Sequence, residues 1–288
     1  MQFWVIQTVN AVAYGSLLFL IASGFSLIFG LMNITNLTHA AYYMLGSYLG
    51  FAVANYIGNF FLAILVAGVV IAVIGVVNYR LFLSNLQGQQ LSQVLLSLGL
   101  LFVLDDVMLF IFGGYPQQIT PPQILSGSIP LMGVTFPIYR LFLIGVGMIS
   151  ALGLYLMVEK TKMGSIIRAG VDDEETTRAM GVNINQAFVG VYALGTFLAA
   201  AGGVMGGPIL GMEPRMSFVI LPLALVVVII GGLGNLRGAF FGSIIVAMLD
   251  NFGRALIPDL SYFTLFLPMA LILTFKPSGL FGSVKVVD

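Results

Sequence analysis

The sequence lacks charge over its first 79 residues, because no Asp, Glu, Lys or Arg precedes Arg80. A water-soluble domain needs a charged exterior, whereas roughly 20 consecutive apolar residues are enough to cross a bilayer. Over the whole chain 59% of the residues are hydrophobic and 8% are charged, where a typical globular domain has about 25% charged residues. These values predict a polytopic membrane protein whose surface mainly faces lipid or another apolar subunit.

Several residue types that carry chemistry are also missing. The chain has no cysteine, which excludes disulfides, thiolate metal sites and cysteine nucleophiles. It has no Gly-Lys dipeptide, so a phosphate-binding P-loop is absent and ATP hydrolysis is expected on other chains. With a net charge of zero and scattered Lys and Arg, it offers no nucleic-acid surface. We therefore expect a chain that is not an enzyme and binds no metal or cofactor itself.

Apolar runs, separated by Gly, Pro, Asn and charge clusters, predict an all-α fold of about nine (eight to ten) transmembrane helices in a single domain, 1–288. The start has no basic region and the first run is too long for a signal core, so the first helix should remain in the mature protein. A weak similarity between 36–47 and 235–243 suggests an internal repeat. The predicted segments are 4–29, 37–54, 60–79, 93–112, 138–158, 187–210, 217–233, 239–256 and 261–275.

Two long interruptions separate these runs. The first, about 113–137, holds five prolines and no charged residue, which predicts an ordered external loop with a hairpin around Ser126 and Gly127. The second, about 159–186, concentrates four of the basic residues. Lys and Arg are enriched in cytoplasmic loops. If 159–186 is cytoplasmic, eight of the 11 Lys and Arg residues lie inside, which places the N-terminus outside and the C-terminus in the cytoplasm. The three outside are Arg140, Arg215 and Arg254.

The segment 159–186 carries helix start and stop signals. One short helix is predicted from Lys162 to Gly170. Asp172 then serves as an N-cap with Glu175 three residues later, the spacing of a capping box, and Gly181 supplies a left-handed C-cap. Two short helices outside the membrane would form a rigid knob. The alternative is a plain basic anchoring loop.

Two acidic residues, Asp105 and Asp106, lie about 12 residues into the fourth segment. Ionisable residues inside a membrane are costly and usually face a cavity or a partner. Neighbours on a helix point about 100° apart, so both cannot face one pore. We expect one to line a polar path and the other to meet a neighbouring segment. The alternative is that the helix ends early and both mark the outer interface.

His39 is the only histidine and would lie near the cytoplasmic start of the second segment. A hydrogen bond to backbone is favoured over proton transfer there, with a gating role left open. Small-residue spacing also predicts close helix contacts, which serve either sliding helices or static packing. The G-x-x-x-G pairs are Gly202 with Gly206, Gly203 with Gly207, and Gly238 with Gly242.

Three groups of residues resemble the LivH-type permeases of branched-chain amino acid ABC importers. Residues 36–47 (NLTHAAYYMLGS) are similar to the family's N-x-x-H-G-x-x-Y-M-x-G-A signature, and 231–242 (GGLGNLRGAFFG) to its G-G-x-G-x-x-x-G-A-x-x-G signature. The resemblance extends over about 9–282. Residues in the order and spacing of the family's cytoplasmic coupling segment are Thr161, Gly164, Arg168, Ala169, Asp173, Met180, Gly181, Val182 and Asn183.

The resemblance implies a multi-pass permease subunit in a prokaryotic inner membrane, translocating branched-chain amino acids delivered by an extracytoplasmic binding protein. It implies as partners a second, LivM-type permease subunit or a second copy of this chain, and two ATP-binding subunits that hold ATP and Mg²⁺. Coupling to the ATPase would involve Gly164, Arg168, Ala169, Asp173, Met180 and Gly181. For gating or the translocation pathway the candidates are Asn36 and His39, which lie in the first signature, and Asp105 and Asp106, which are ionisable residues inside a predicted helix.

The sequence departs from the family pattern at Ala40, where Gly is usual, at Thr177, where Ala is frequent, and at Asp105 and Asp106. Because of these departures, urea, a short amide or another small solute stays open as the substrate. An ion-coupled secondary transporter is the alternative from a different class, and Asp105 with Asp106 fits it in part. An intramembrane enzyme is disfavoured because the single histidine has no plausible catalytic partner.

Overall fold

The computed structural model describes residues 2–131, 134–172 and 174–282. Within these ranges it contains eleven α-helices and one antiparallel pair of strands. The helices are α1 (Gln2–Met32), α2 (His39–Ile57), α3 (Phe60–Asn78), α4 (Gln90–Phe112), α5 (Ile138–Lys160), α6 (Lys162–Asp172), α7 (Glu174–Ala179), α8 (Ile184–Leu210), α9 (Met216–Gly231), α10 (Leu236–Leu256) and α11 (Ser261–Phe275). The strands are β1 (Ser128–Leu131) and β2 (Val134–Pro137). Short π and 3-10 turns occur at Tyr79–Leu83, Ser84–Leu86, Gln123–Leu125 and Pro258–Leu260.

Each of the nine predicted segments falls on an α-helix, which confirms the all-α polytopic fold. Six helices are long and apolar enough to cross a membrane: α1, α3 with its extension to Leu86, α4, α5, α8 and α10. By the same criteria α2 does not qualify, and α9 and α11 are shorter apolar helices. The exact number of crossings therefore stays a prediction.

Helices α1 and α8 form the centre of the bundle. Most of each helix is buried by the rest of the chain, whereas α4 and α5 leave most of their apolar surface exposed. The two central helices cross at Gly24 and Gly195, where a side chain on Gly24 would overlap the carbonyl oxygen of Gly195. Small residues at such a crossing let two backbones approach closely in the membrane. The outer helices are left to face lipid or another subunit.

The second helix begins inside the bundle. We use inner end and outer end for the ends of the bundle that the charge bias assigns to the cytoplasm and to the outside. His39, the first residue of α2, contacts the carbonyl oxygen of Ile21 and lies beside Gly24 and Gly195. Ile21 and Gly195 are each about three helical turns, roughly 16 Å, from the inner ends of α1 and α8. His39 thus lies at the start of the second helix, as predicted, but that start is inside the bundle because the chain folds back before α2 begins.

The outer loop contains a hairpin, as predicted, but the hairpin is not centred on Ser126 and Gly127. The strands β1 and β2 pair from Ser128 with Pro137 to Leu131 with Val134, and the two residues between them lie outside the described residues. Ser126 and Gly127 precede the first strand, where the Gly127 carbonyl accepts the Ile138 amide at 2.9 Å. Gln117 and Met212 also exchange two backbone hydrogen bonds of 2.8 Å, which tie this loop to the α8–α9 connection.

The segment after α5 forms two helices, which overturns the alternative of a plain loop. The first was expected to end at Gly170 but continues to Asp172, so the predicted N-cap residue is the last residue of α6 instead. A methyl group added at Gly170 would lie 3.5 Å from the Ile184 side chain, an ordinary packing distance. Two helical residues follow Gly170, so it does not terminate α6. Gly181 has the predicted left-handed backbone, with φ of 83°.

Candidate functional site

The coupling knob, α6 and α7, joins α5 through a turn that admits only glycine at Gly164. The hydroxyl of Thr161 accepts the Gly164 amide at 3.1 Å and donates to the Met157 carbonyl at 2.5 Å. A side chain on Gly164 would overlap the carbonyl oxygen of Val158. The start of α6 is thus capped and pressed directly against the last turn of α5.

Arg168 fastens the same junction from the next turn of α6. Its guanidinium donates to the Val158 carbonyl and lies 3.8 Å from the Glu159 carboxylate. A cation at the C-terminal end of a helix is stabilised by the unpaired carbonyls there. The guanidinium contacts its own chain, and the predicted contact of Arg168 with the ATPase stays a prediction. Arg168 therefore positions the knob.

The other coupling residues occupy the free surface of the knob or its end. Ala169 and Met180 are exposed, with Met180 at 78%. Gly181 ends the segment in its left-handed conformation. Asp173 lies outside the described residues. Exposed apolar side chains on a solvent-facing knob are suited to contact with another protein.

A line of polar side chains runs down the buried face of α4. Gln93, Ser97 and Asp105 are buried on this otherwise apolar helix. The Gln93 side chain accepts the Thr35 amide at 3.0 Å and donates to the Leu86 carbonyl at 2.9 Å. The Ser97 hydroxyl accepts the Leu37 amide at 3.0 Å. These side chains satisfy backbone groups in the break 33–38 between α1 and α2, where no helix supplies partners.

Sequence reasoning missed Gln93 and Ser97. Their signal was present, because Gln93, Ser97 and Asp105 recur at multiples of four residues, which puts them on one face of a helix. We use polar seam for the contacts of these three residues with the break and with α9.

Asn36 extends the polar seam into the centre of the bundle. Its amide donates to the Tyr192 hydroxyl at 2.7 Å, and that hydroxyl lies 3.4 Å from the hydroxyl of Tyr42. Asn78 in turn donates to Tyr42 at 2.7 Å. The four buried side chains come from the break, α2, α3 and α8. They link helices that would otherwise share only apolar contacts.

His39 makes the backbone hydrogen bond that its sequence context favoured. Its Nε2 lies 3.1 Å from the Ile21 carbonyl oxygen, and its ring packs edge-on against Phe25 and Tyr42. Its Nδ1 is buried without a hydrogen-bond partner among the described residues. The gating role assigned to His39 stays a prediction.

Asp105 and Asp106 both hold the start of α9. Asp105 is 1% exposed, and both of its carboxylate oxygens lie 2.6 Å from the Ser217 hydroxyl. The Asp106 side chain is 70% exposed and pairs with Arg215 at 3.8 Å. The alternative of an early helix end is wrong, because α4 continues to Phe112. The two acids lie in different environments, yet both contact the start of α9, and a role of either in the pathway stays a prediction.

The predicted glycine pairs lie at helix contacts of different tightness. A side chain on Gly206 would overlap the Tyr43 hydroxyl, and one on Gly238 would overlap the Gly231 carbonyl. At Gly242 it would come within 2.7 Å of the Val227 carbonyl oxygen, and at Gly202 within 3.3 Å of Leu20. Gly203 is as tight as Gly206, and it faces the Tyr43 backbone carbonyl rather than a side chain.

Comparison with known proteins assigns the family. The family model described as "Branched-chain amino acid transport system / permease component" matches residues 7–274, nearly the whole chain. The chain belongs to this permease family. The resemblance seen in the coupling and signature residues is thereby confirmed.

The permease is similar to several curated proteins along its full length. It is 24% identical to the high-affinity branched-chain amino acid transport system permease protein BraD of Pseudomonas aeruginosa, over 97% of this chain and 96% of that protein. It is 24% identical to LivH of Salmonella typhimurium over the same shares. A probable LivM of Methanocaldococcus jannaschii is 29% identical over 80% of this chain and 70% of its own. No solved structure matches the chain.

The junction of the coupling knob gives a first prediction. Gly164→Ala should lower transport by the permease several-fold at normal membrane insertion, because an added methyl group meets the last carbonyls of α5 and tilts the knob. Gly153→Ala in α5 is the matched control, since nothing lies within 4 Å of its added methyl group. Uptake and membrane-protein yield are measured for both variants. Equal uptake from the two would contradict this role of Gly164.

The two acids give a second prediction. The Ser217 hydroxyl donates to the Asp105 carboxylate. Asp105→Asn places an amide N–H₂ group in this buried contact, and a buried donor without an acceptor lowers the stability by roughly 1–3 kcal/mol. Asp106→Asn removes one exposed ion pair, worth about 0–1 kcal/mol. We expect Asp105→Asn to lower both the melting temperature of the purified permease and its uptake, while Asp106→Asn changes little. The idea fails if the two variants melt and transport alike.

Proposed function

We propose that this permease is the membrane-spanning subunit of an ATP-driven importer that moves branched-chain amino acids delivered by an extracytoplasmic binding protein. Its relatives are named as branched-chain amino acid transport permeases. ATP and Mg²⁺ bind to two separate ATPase subunits, and this chain is not an enzyme. Relatives of both the LivH and the LivM type support a pair of permease subunits in one assembly. A second copy of this chain is the alternative partner.

The observation that carries this proposal, beside the family, is the rigid attachment of the coupling knob. Gly164 and Arg168 fix α6 to the end of α5, and α6 also packs against α8. A push on the knob from an ATPase therefore moves α5 and α8 together. A flexible basic loop in the same place would absorb the motion.

The movement of α8 can reach the polar seam through Tyr192. Tyr192 lies about two turns beyond Ile184 on α8 and holds Asn36 in the break by one hydrogen bond. A shift of α8 is thus transmitted to the break, which side chains of α4 hold from the other side. Individual hydrogen bonds can be exchanged at small net cost, whereas the packed helices around them are stiff. The break 33–38, with His39 beside it, is therefore our candidate for the gate.

One observation favours the ion-coupled class. Asp105 is a buried carboxylate whose one hydrogen-bond partner among the described residues is a hydroxyl, and such intramembrane acids often take part in ion movement. However, the carboxylate lies at the N-terminal end of α9, where the helix dipole already favours a negative charge. A structural role for Asp105 therefore explains its position without a coupling ion.

Reconstitution tests the proposal. The permease is coexpressed with a LivM-type subunit and two ATPase subunits of the same assembly, purified through a tag on this chain, and placed in proteoliposomes. We expect the ATPase to copurify and radiolabelled leucine, supplied on the binding protein, to enter only with internal ATP. Excess unlabelled isoleucine and valine should compete, whereas urea and acetamide should not. Uptake driven by an ion gradient without ATP would overturn the proposal, and competition by urea would change the substrate.

Orientation yields a further prediction. A cysteine at Ser165, on the knob, should react with a membrane-impermeant thiol reagent only after the membrane is opened. A cysteine at Ser126, in the outer loop, should react in intact cells. The chain has no native cysteine, so labelling reports only the introduced residue. The reverse pattern would place the knob outside and remove its role in coupling.

A further inference from the structure

The outer end of the bundle contains a cavity of about 370 Å³ that is separate from the coupling knob and the break. Helices α1, α9 and α10 form its sides, with the start of α5 and the end of α8 at its rim. A volume of this order is typical of sites for small ligands, which are usually concave, mostly apolar and lined by a few polar groups. The cavity is large enough for one amino acid.

Two opposite charges line this cavity without neutralising one another. The Arg140 guanidinium donates to the side-chain oxygen of Asn10, and within the described residues no carboxylate pairs with it. Glu213, on the α8–α9 connection, lines the same cavity, and no cation pairs with it among those residues. By contrast, Asp250 and Arg254 at the edge form their own ion pair at 2.9 Å. One cation and one anion thus remain available to a ligand.

The remaining wall is aliphatic. Branched side chains of α9 and of the end of α8 provide it: Ile209, Leu210, Val219, Ile220 and Leu223. Apolar surface of this kind stabilises a hydrocarbon side chain that leaves water. The combination of a free cation, a free anion and an aliphatic wall is complementary to an α-amino acid with a hydrocarbon side chain.

We propose that this cavity is an outer binding site for the zwitterionic amino acid, with its carboxylate at Arg140, its ammonium group at Glu213 and its side chain against α9. The planar guanidinium suits a carboxylate, because it can donate two parallel hydrogen bonds. Urea and simple amides carry no charge, so they would leave both charged groups unpaired in a partly desolvated site. The proposal rests on the proposed function, since it gives that function a specific place for the substrate.

The position of the cavity connects it to the polar seam. Met216 lies in its lining and begins α9, and its sulfur accepts the Ser47 hydroxyl of α2 at 3.7 Å. The next residue, Ser217, holds Asp105. A ligand in the cavity therefore contacts the same start of α9 that the acids of α4 hold. The first turn of α9 therefore links ligand binding in the cavity to the packing of α2, α4 and α9.

Direct binding to the assembled importer tests this proposal. The complex is placed in lipid nanodiscs without the binding protein, and saturation-transfer NMR detects weak binding of leucine, with urea as the uncharged comparison. We expect transfer to the leucine methyl groups and none to urea. Arg140→Gln and Glu213→Gln should each weaken leucine binding roughly ten-fold, as expected for losing one charge-assisted contact. Leucinamide, which lacks the carboxylate, should bind wild type and Arg140→Gln equally.

Control variants remove a charge elsewhere. Asp259→Asn removes an exposed carboxylate from the outer α10–α11 connection. Arg80→Gln removes an exposed guanidinium at the inner end. Neither residue lines the cavity. Both should bind leucine like wild type. Normal copurification of the ATPase with each variant establishes that the assembly is intact.

The outcomes separate this site from the proposed function. If wild type takes up leucine but no binding is seen, or if the cavity variants bind like the controls, the site is wrong and the function stands. If the wild-type importer does not take up branched-chain amino acids at all, the proposed function and this site both fail. Loss of binding in both cavity variants, with the controls unchanged, supports the site.

Discussion

The break between α1 and α2 is the constraint on which much of this structure depends. In the hydrocarbon region no water is present to pair with backbone N–H groups, so a break there must find its partners within the protein. Gln93 and Ser97 supply them to Thr35 and Leu37. This requirement explains why a helix as apolar as α4 keeps polar residues on one face, and why that face is held against the centre of the bundle.

The central helices are held rigidly, whereas the break between α1 and α2 is held by contacts that can be exchanged. Close contacts through small residues, such as Gly24 with Gly195, hold the central helices at a defined distance. The break is instead held by single side-chain hydrogen bonds from α4 and α8. A transporter needs both properties, because force must travel through stiff helices and end in a segment that can change its partners. The knob meets the first need through Gly164 and Arg168.

Charge is used sparingly and near the ends of helices. Asp105 is buried but lies at the start of α9, where the unpaired N–H groups of the helix favour a negative charge. Arg168 uses the opposite end of a helix in the same way. Arg140 and Glu213 differ from these residues, because both line one cavity and neither forms an ion pair among the described residues. Their arrangement motivates the outer amino-acid site.

The sequence alone determined the class of protein, the nine helical segments and the family, and it left 159–186 open between two short helices and a plain loop. It could do so because lipid solvation demands long apolar runs, and because the residues of each family signature are local in sequence. Only the tertiary structure decided that α2 starts deep in the bundle, that Arg168 binds its own chain, and that Arg140 and Glu213 share a cavity. Those facts depend on which helices become neighbours. Arg140 and Glu213 are separated by more than 70 residues, and no local pattern records that packing brings them to one cavity.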